Sequence, residues 1–332
     1  MPRSKAVRRA AADRSRRAAT TGQEQLAHRA GATPMRLRPP RLLAYVDAVG
    51  RYGSIRKAAD ALNVAASALN RQILDLETDL GSTLFERLPR GLRPTAAGEV
   101  FLAYARQAIS ELKVVESRIE QLRGMVRGQV NVAAVESVAG GLLPSAITQF
   151  QSTHPYVRFR VRIGSPDELV SALVADQMDL ILTHYAPTTK DVAVVAVAQQ
   201  ALCVMVTPDH PLAGRVNLHL RDCLDYPLAL ADSTLAGRAL IEQVLARASF
   251  ELDPRLVSNS VESMKAFARM NRGVCFQFHQ PGNAIVPPGD MIALPLVDPP
   301  LSQGRLILAT RRGRVLPIAA AAFVELLRTL LA

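Results

Sequence analysis

A chain of 332 residues is long enough for two or three domains with substantial cores. Hydrophobic residues make up 49% and charged ones 21%, and no unbroken apolar run reaches bilayer length, which argues against a membrane-spanning helix. The net charge of +11 is uneven: residues 1–34 carry eight Arg/Lys and two acids, 35–95 ten and six, 96–128 five and four, and 129–332 seventeen of each. A basic front joined to a neutral remainder points to a polyanion for one part and a different task for the other.

Residues 1–34 are rich in Arg, Ala, Ser and Thr and lack a sustained apolar face. They read either as a mobile basic arm adding phosphate contacts or as sequence upstream of a true start at Met35. No apolar leader opens the chain, so the cytoplasm is the expected location. Pro39–Pro40 and Tyr52–Gly53 bracket a first helix over 39–53, with Leu42, Leu43, Val46 and Val49 on one side. Ser54 can cap a second helix, which turns Ile55, Ala58, Ala59 and Leu62 inward. Only Asn63 and Val64 separate it from a third pattern, Ser67 to Leu80, whose Leu69, Ile73, Leu76 and Leu80 share a face until Gly81 stops it.

Two helices joined so tightly form a helix-turn-helix, whose second helix lies in the DNA major groove. With Leu69 and Ile73 inward, Ser67, Asn70, Arg71 and Gln72 are left for the groove. Asn pairs bidentately with adenine and Arg with guanine, while Ser suits a base or a phosphate. Arg56 and Lys57 suit flanking phosphates, as do Arg87, Arg90 and Arg93 beside an "LPRG" turn that reads as the tip of a two-stranded wing. Within Thr95–Gly124, the residues Phe101, Ala105, Ala108, Leu112, Val115, Ile119 and Leu122 recur in steps of four and three. That is a coiled-coil seam, and a second copy of the chain is its economical partner.

From Gln129 short strand candidates ("VNVAAV", "VRFRVRI", "DLILTH", "LCVMVT", "YPLALA", "VCFQF", "RLILAT") alternate with helical patterns over 140–151, 166–176, 235–248, 260–270 and 317–331. The alternation implies mostly parallel, covered sheets, and about 200 residues suits two small ones. Ligands in such folds sit beyond the carboxyl ends of strands, beside helix N-termini. Candidate effector contacts are therefore Ser137, Gly164, Ser165, Ser233 and Thr234, whose hydroxyls and neighbouring amides suit a carboxylate; ordinary helix capping would account for any one hydroxyl. His184 and Gln277, near strand ends, are further candidates. Cys203, Cys223 and Cys275 match no metal or redox spacing and read as buried small residues rather than sensor thiols, so no metal or cofactor is expected.

The stretch "AYVDAVGRYGSIRKAADALNVAASALNRQILDLETDLGSTLFERLPRGLRPTAAG" resembles the LysR-type transcriptional regulators. The similarity is dense from Leu42 to Gly98 and looser to the end, where "PDHPLAG" and "LVDPPL" look like landmarks of the family's effector domain. It implies a winged helix-turn-helix at 35–95, a linker and dimerisation helix at 96–128, and an effector domain at 129–332. That domain would be a pair of α/β subdomains, about 129–199 with 304–332 and about 200–303, joined by two crossovers like a periplasmic binding protein, giving an α+β and α/β chain overall. The resemblance also implies a small-molecule effector, a tetramer through effector-domain contacts and RNA polymerase as a candidate further partner. The seam helix, pairing two chains as a dimer, makes the double-stranded DNA target an interrupted palindrome, and the hydroxyls and helix amides favour a small organic acid. Ala65 stands where the family usually has Ser, removing a cap worth about 0.5–2 kcal/mol, and Asn70 stands where Ser is common. Both departures bear on which half-site is read. A ligand-independent architectural DNA protein would leave 129–332 without a task. An α/β enzyme fused to a DNA-binding domain is the other rival, but Gly140–Gly141 and Gly164 make no phosphate loop, and the histidines and cysteines make no local zinc motif.

Overall fold

The computed structural model describes residues 37–89, 91–122, 126–186, 190–279 and 291–332. Helices α1 (Arg41–Tyr52), α2 (Ile55–Leu62) and α3 (Ala66–Leu80) pack around Val46, Val49, Ala58, Ala59, Leu69, Ile73 and Leu76. The turn between α2 and α3 depends on Asn63, which adopts the left-handed conformation (φ 54°) that Asn tolerates better than most residues. Leu80, expected on the buried face, is instead exposed, because α3 outruns its neighbours in its last turn. Strands β1 (Phe85–Leu88) and β2 (Gly91–Pro94) pair antiparallel as the wing. Glu77 ties the wing to α3, its Oε1 accepting from the amides of Leu84 (2.7 Å) and Phe85 (3.0 Å).

The long helix α4 (Ala96–Leu122) begins against this domain, with Leu102 and Ala105 buried and Arg106 bonded to Asp47 of α1 at 3.2 Å. This corrects the expected seam. Ala105 is fully enclosed by its own chain and Phe101 packs on the helical core, while Val100, Tyr104, Val115 and Leu122 stand exposed. Ala108, Leu112 and Ile119 are half-buried.

Beyond the linker come β3 (Gly128–Ala134), α5 (Glu136–Ala139), α6 (Leu142–Thr153), β4 (Val157–Ile163), α7 (Pro166–Val174), β5 (Leu180–Thr183) and β6 (Val192–Val206). They are followed by β7 (Ala229–Ala231), α8 (Ala236–Leu245), β8 (Leu256–Ser258), α9 (Val261–Asn271), β9 (Cys275–His279), β10 (Ile292–Pro295), β11 (Gly304–Arg311) and α10 (Ile318–Leu331). The seven-stranded sheet runs β10-β6-β11-β5-β3-β4, with β9 also on β6, and β7-β8 form a separate parallel pair. β3 is parallel to β4 and β5, but every ladder made by β6 or β11 is antiparallel. Parallel pairing does not predominate as expected: among the described residues of this region three ladders are parallel and four antiparallel, because β6 and β11 run against the strands they join.

β6 belongs to both halves. Its first part pairs β11 and its second part β9 and β10. One core gathers β3, β5, α6, α7 and α10, with Phe323 edge-on to Phe150 and Phe159 (5.3 and 4.7 Å). Two further cores lie on opposite faces of the other half, where Leu202, Val204 and Val206 alternate with Ala201, Cys203 and Met205. Among the described residues no helix is long and apolar enough to cross a membrane.

Arg314 joins α4 to this domain. Its guanidinium, 6% exposed, bonds Asp179 (2.7 Å), Ser110 Oγ of α4 (2.9 Å) and the Met178 carbonyl (2.8 Å), with Asp176 at 3.4 Å. Asp179 is fixed in turn by the backbone and side-chain amides of Asn131. Arg314→Ala would leave the buried Asp179 without a cation, while Asp176 keeps Arg311, and is expected to cost the C-terminal domain about 3 kcal/mol in urea denaturation. Ser110→Ala, which removes one hydrogen bond, should cost about 1 kcal/mol.

Candidate nucleic-acid interface and effector junction

The outward side of α3 carries Ser67, Arg71 and Gln72 in the open and Asn70 half-buried. Leu69, Ile73 and Leu76 hold the opposite side down, so the helix cannot roll without exposing its core. Arg71 is 83% exposed and 3.8 Å from Asp75, one turn on. Asn70 Oδ1 accepts from Arg87 of the wing at 3.2 Å, which joins the two candidate DNA-contacting elements. Arg93 pairs with Glu86 across the wing. Arg56 and Lys57 lie exposed in the first turn of α2, capped by Ser54 Oγ on the Lys57 amide (3.4 Å). Arg90 lies outside the described residues. Solvent-exposed pairs such as Arg71–Asp75 contribute little, so exchanging the acid for a phosphate or a base is cheap. α3 starts without a side-chain cap, because Ala65 has nothing to offer its free amides.

At the junction of the two halves, α5 follows β3, and three of the candidate residues meet there. Ser137 Oγ lies 2.8 Å from His184 Nε2, and His184 Nδ1 lies 2.9 Å from the Arg305 carbonyl. The carbonyl can only accept, so the imidazole proton sits on Nδ1 and the Ser137 hydroxyl donates to Nε2. Burial drives the His184 pKa down to about 4, partly offset by the bond to Arg305, and the neutral ring lies 4.0 Å from Phe278. Gln277, reaching across from β9, donates to the Ser137 carbonyl at 2.9 Å while its own Oε1 is buried without a partner.

The other candidates are engaged locally. Ser165 donates through its amide (2.9 Å) and hydroxyl (3.0 Å) to Glu168 of α7, and these bonds hold the Glu168 carboxyl below the usual carboxylate range. A Cβ on Gly164 would press against that same carboxylate. Thr234 donates twice to Asp232 Oδ1, and Ser233 is exposed beside it. Sequence reasoning missed Glu136. Its carboxylate accepts from Ser260 Oγ (3.0 Å) and from the amides of Val261 (2.8 Å) and Glu262 (3.4 Å) at the start of α9. No sequence pattern ties residues 136 and 260, although Ser137 had already marked the segment. All three cysteines are buried, and burial pushes each thiol up to about 12, far from a reactive thiolate.

Residues 40–99 match the family model of the bacterial regulatory helix-turn-helix protein, lysR family, and residues 123–332 match the LysR substrate binding domain. The chain belongs to the LysR family of transcriptional regulators. A RuBisCO operon transcriptional regulator of Allochromatium vinosum is 26% identical over 299 residues, covering 86% of this chain and 94% of that protein. In fold, the chain is similar to a full-length OxyR variant of Pseudomonas aeruginosa (20% identity, TM-score 0.64, 86% of this chain and 96% of that one). It is likewise similar to CbnR in complex with its target DNA (24% identity, TM-score 0.56, 87% and 98%). As a LysR regulator the protein binds DNA through its N-terminal domain, and the α/β region is its effector domain.

His184 gives this LysR effector domain a pH signature. The unfolded imidazole takes up a proton below about pH 6.5, the folded one only near 4. Between those values the unfolded chain binds more protons, so stability rises with pH across the window and is lost as pH falls. Thermal melts should therefore drop between pH 7 and pH 5, and His184→Gln should shrink the drop. A drop of equal size in the variant would contradict this.

Proposed function

We propose that this LysR regulator reads a specific operator with α3 and changes its activity when a small organic acid binds between the effector subdomains. The observation that carries the DNA half is the outward row of exposed Ser67, Arg71 and Gln72 with half-buried Asn70, on a helix locked from behind by Leu69, Ile73 and Leu76. In this reading Arg71 and Asn70 contact bases, and Arg56, Lys57, Arg87 and Arg93 contact phosphates. A phosphate at the uncapped start of α3 would supply the acceptor that Ala65 lacks.

Two copies pair through the apolar stripe of α4, with exposed Val115 and Leu122 and half-buried Leu112 and Ile119 at its far end, and the operator is accordingly an interrupted palindrome. Effector-domain contacts extend the dimer to a tetramer, and RNA polymerase is the partner that receives the output. An acid as effector is supported by the donors at the start of α9, which already hold a carboxylate, that of Glu136. The alternative chemistry at the junction, catalysis by Ser137 and His184, is disfavoured by an imidazole whose pKa near 4 makes it a weak base.

The test is competition binding with Arg71→Ala. Affinity for the preferred operator should fall at least about tenfold, the loss of one good bidentate pair, with a much smaller loss on random DNA. Equal losses on both would make Arg71 a phosphate contact and remove it from base reading.

A further inference from the structure

The start of α9 has a local cap already. Ser260 Oγ accepts from the Ser263 amide at 3.3 Å, as an N-cap serine ordinarily does. α7 is likewise served by its own Glu168. Glu136 is different, because it reaches α9 from the other subdomain. It stands on the four-residue α5, whose Val138 is rooted in the core of β3 and β5, whereas Val261 is rooted in the core under β9. Its two oxygens take the Ser260 hydroxyl and the first two amides of α9. One residue further on, Ser137 receives Gln277 and holds His184, so the polar bonds that cross the junction converge on α5. The neighbouring Glu262 carboxylate, whose Oε1 lies beside Gly140 at the end of α5, is compensated by Lys265 (3.1 Å) and Arg269 (3.8 Å).

We propose that Glu136 is the specificity-determining residue of the effector junction, an internal carboxylate that straps the two subdomains together and that an effector acid must displace. The proposal rests on the acid-effector reading above and adds its consequence. The strapped state is not competent to bind, so apparent affinity is reduced by the fraction of molecules strapped. An acid wins only if it offers the α9 amides a carboxylate and also satisfies the orphaned Oε1 of Gln277. That favours a hydroxy or amino acid over a plain alkanoate, since Oε1 requires a hydrogen-bond donor.

Two full-length variants test it. Glu136→Ala deletes the strap. Val261→Pro deletes the amide that makes its 2.8 Å bond while leaving α9 a residue favoured at its first position. In hydrogen exchange, amides 262–263 and 137–139 should exchange on the order of tenfold faster in both variants, with the cores unchanged. In thermal-shift titrations with acetate, lactate, glycine and benzoate, Glu136→Ala should respond at concentrations roughly tenfold lower than the unaltered protein, with lactate or glycine ahead of acetate. Unchanged exchange in both variants overturns the strap. Faster exchange with equal, measurable acid affinity in the presence and absence of Glu136 overturns displacement. Faster exchange with no acid binding to either protein upholds the strap and instead removes the acid-effector reading.

Discussion

An α-helix leaves its first four amide groups without partners inside the helix, and a buried amide must find one elsewhere. Where this chain finds them decides how its parts are joined. The amides of α9 are met by Glu136, which couples one subdomain to the other. The first amide of α10 donates to Ser117 Oγ of α4 at 2.9 Å, which fastens the linker helix to the effector domain beside Arg314. The wing's first amides go to Glu77, which sets the wing against α3. α3 itself has no side-chain cap at its start, on the face that meets DNA in our reading.

A chain of polar contacts also joins β3 to the linker helix. α5 follows β3, and β3 carries Asn131, whose amides fix Asp179. Asp179 in turn orients Arg314 against Ser110 of α4. The Asn131, Asp179, Arg314 and Ser110 contacts are buried or half-buried hydrogen bonds. β6 is shared by both halves of the sheet.

Much of this was legible in the sequence because it is local. Ser54, Asn63 and Gly81 punctuate the helices where they stand in the fold, and the strand-helix alternation after Gln129 corresponds to real elements. What escaped depends on distant partners. The first half of β6 has no breaker to announce it, so only its second half was read as a strand. Antiparallel pairing of β11 with β6 and β5 follows from the route of the chain, which periodicity does not encode. Apolar spacing on α4 marked a buried face but not its owner, and Ala105 turned out to serve its own domain. Among the effector candidates, Ser137, His184 and Gln277 converge, while Ser165 and Thr234 are occupied by carboxylates two or three residues away. Glu136 and Arg314 were invisible, since their partners lie more than a hundred residues distant.

In the proposed function α3 reads DNA as one of a symmetric pair. The most direct measurement is selection of bound sequences from a random duplex library by the unaltered full-length protein. Two inverted copies of one half-site at fixed separation, spaced by whole helical turns, is the predicted result. Enrichment of a single unpaired half-site would contradict the pairing of chains through α4, and no enrichment at all would contradict base reading by α3.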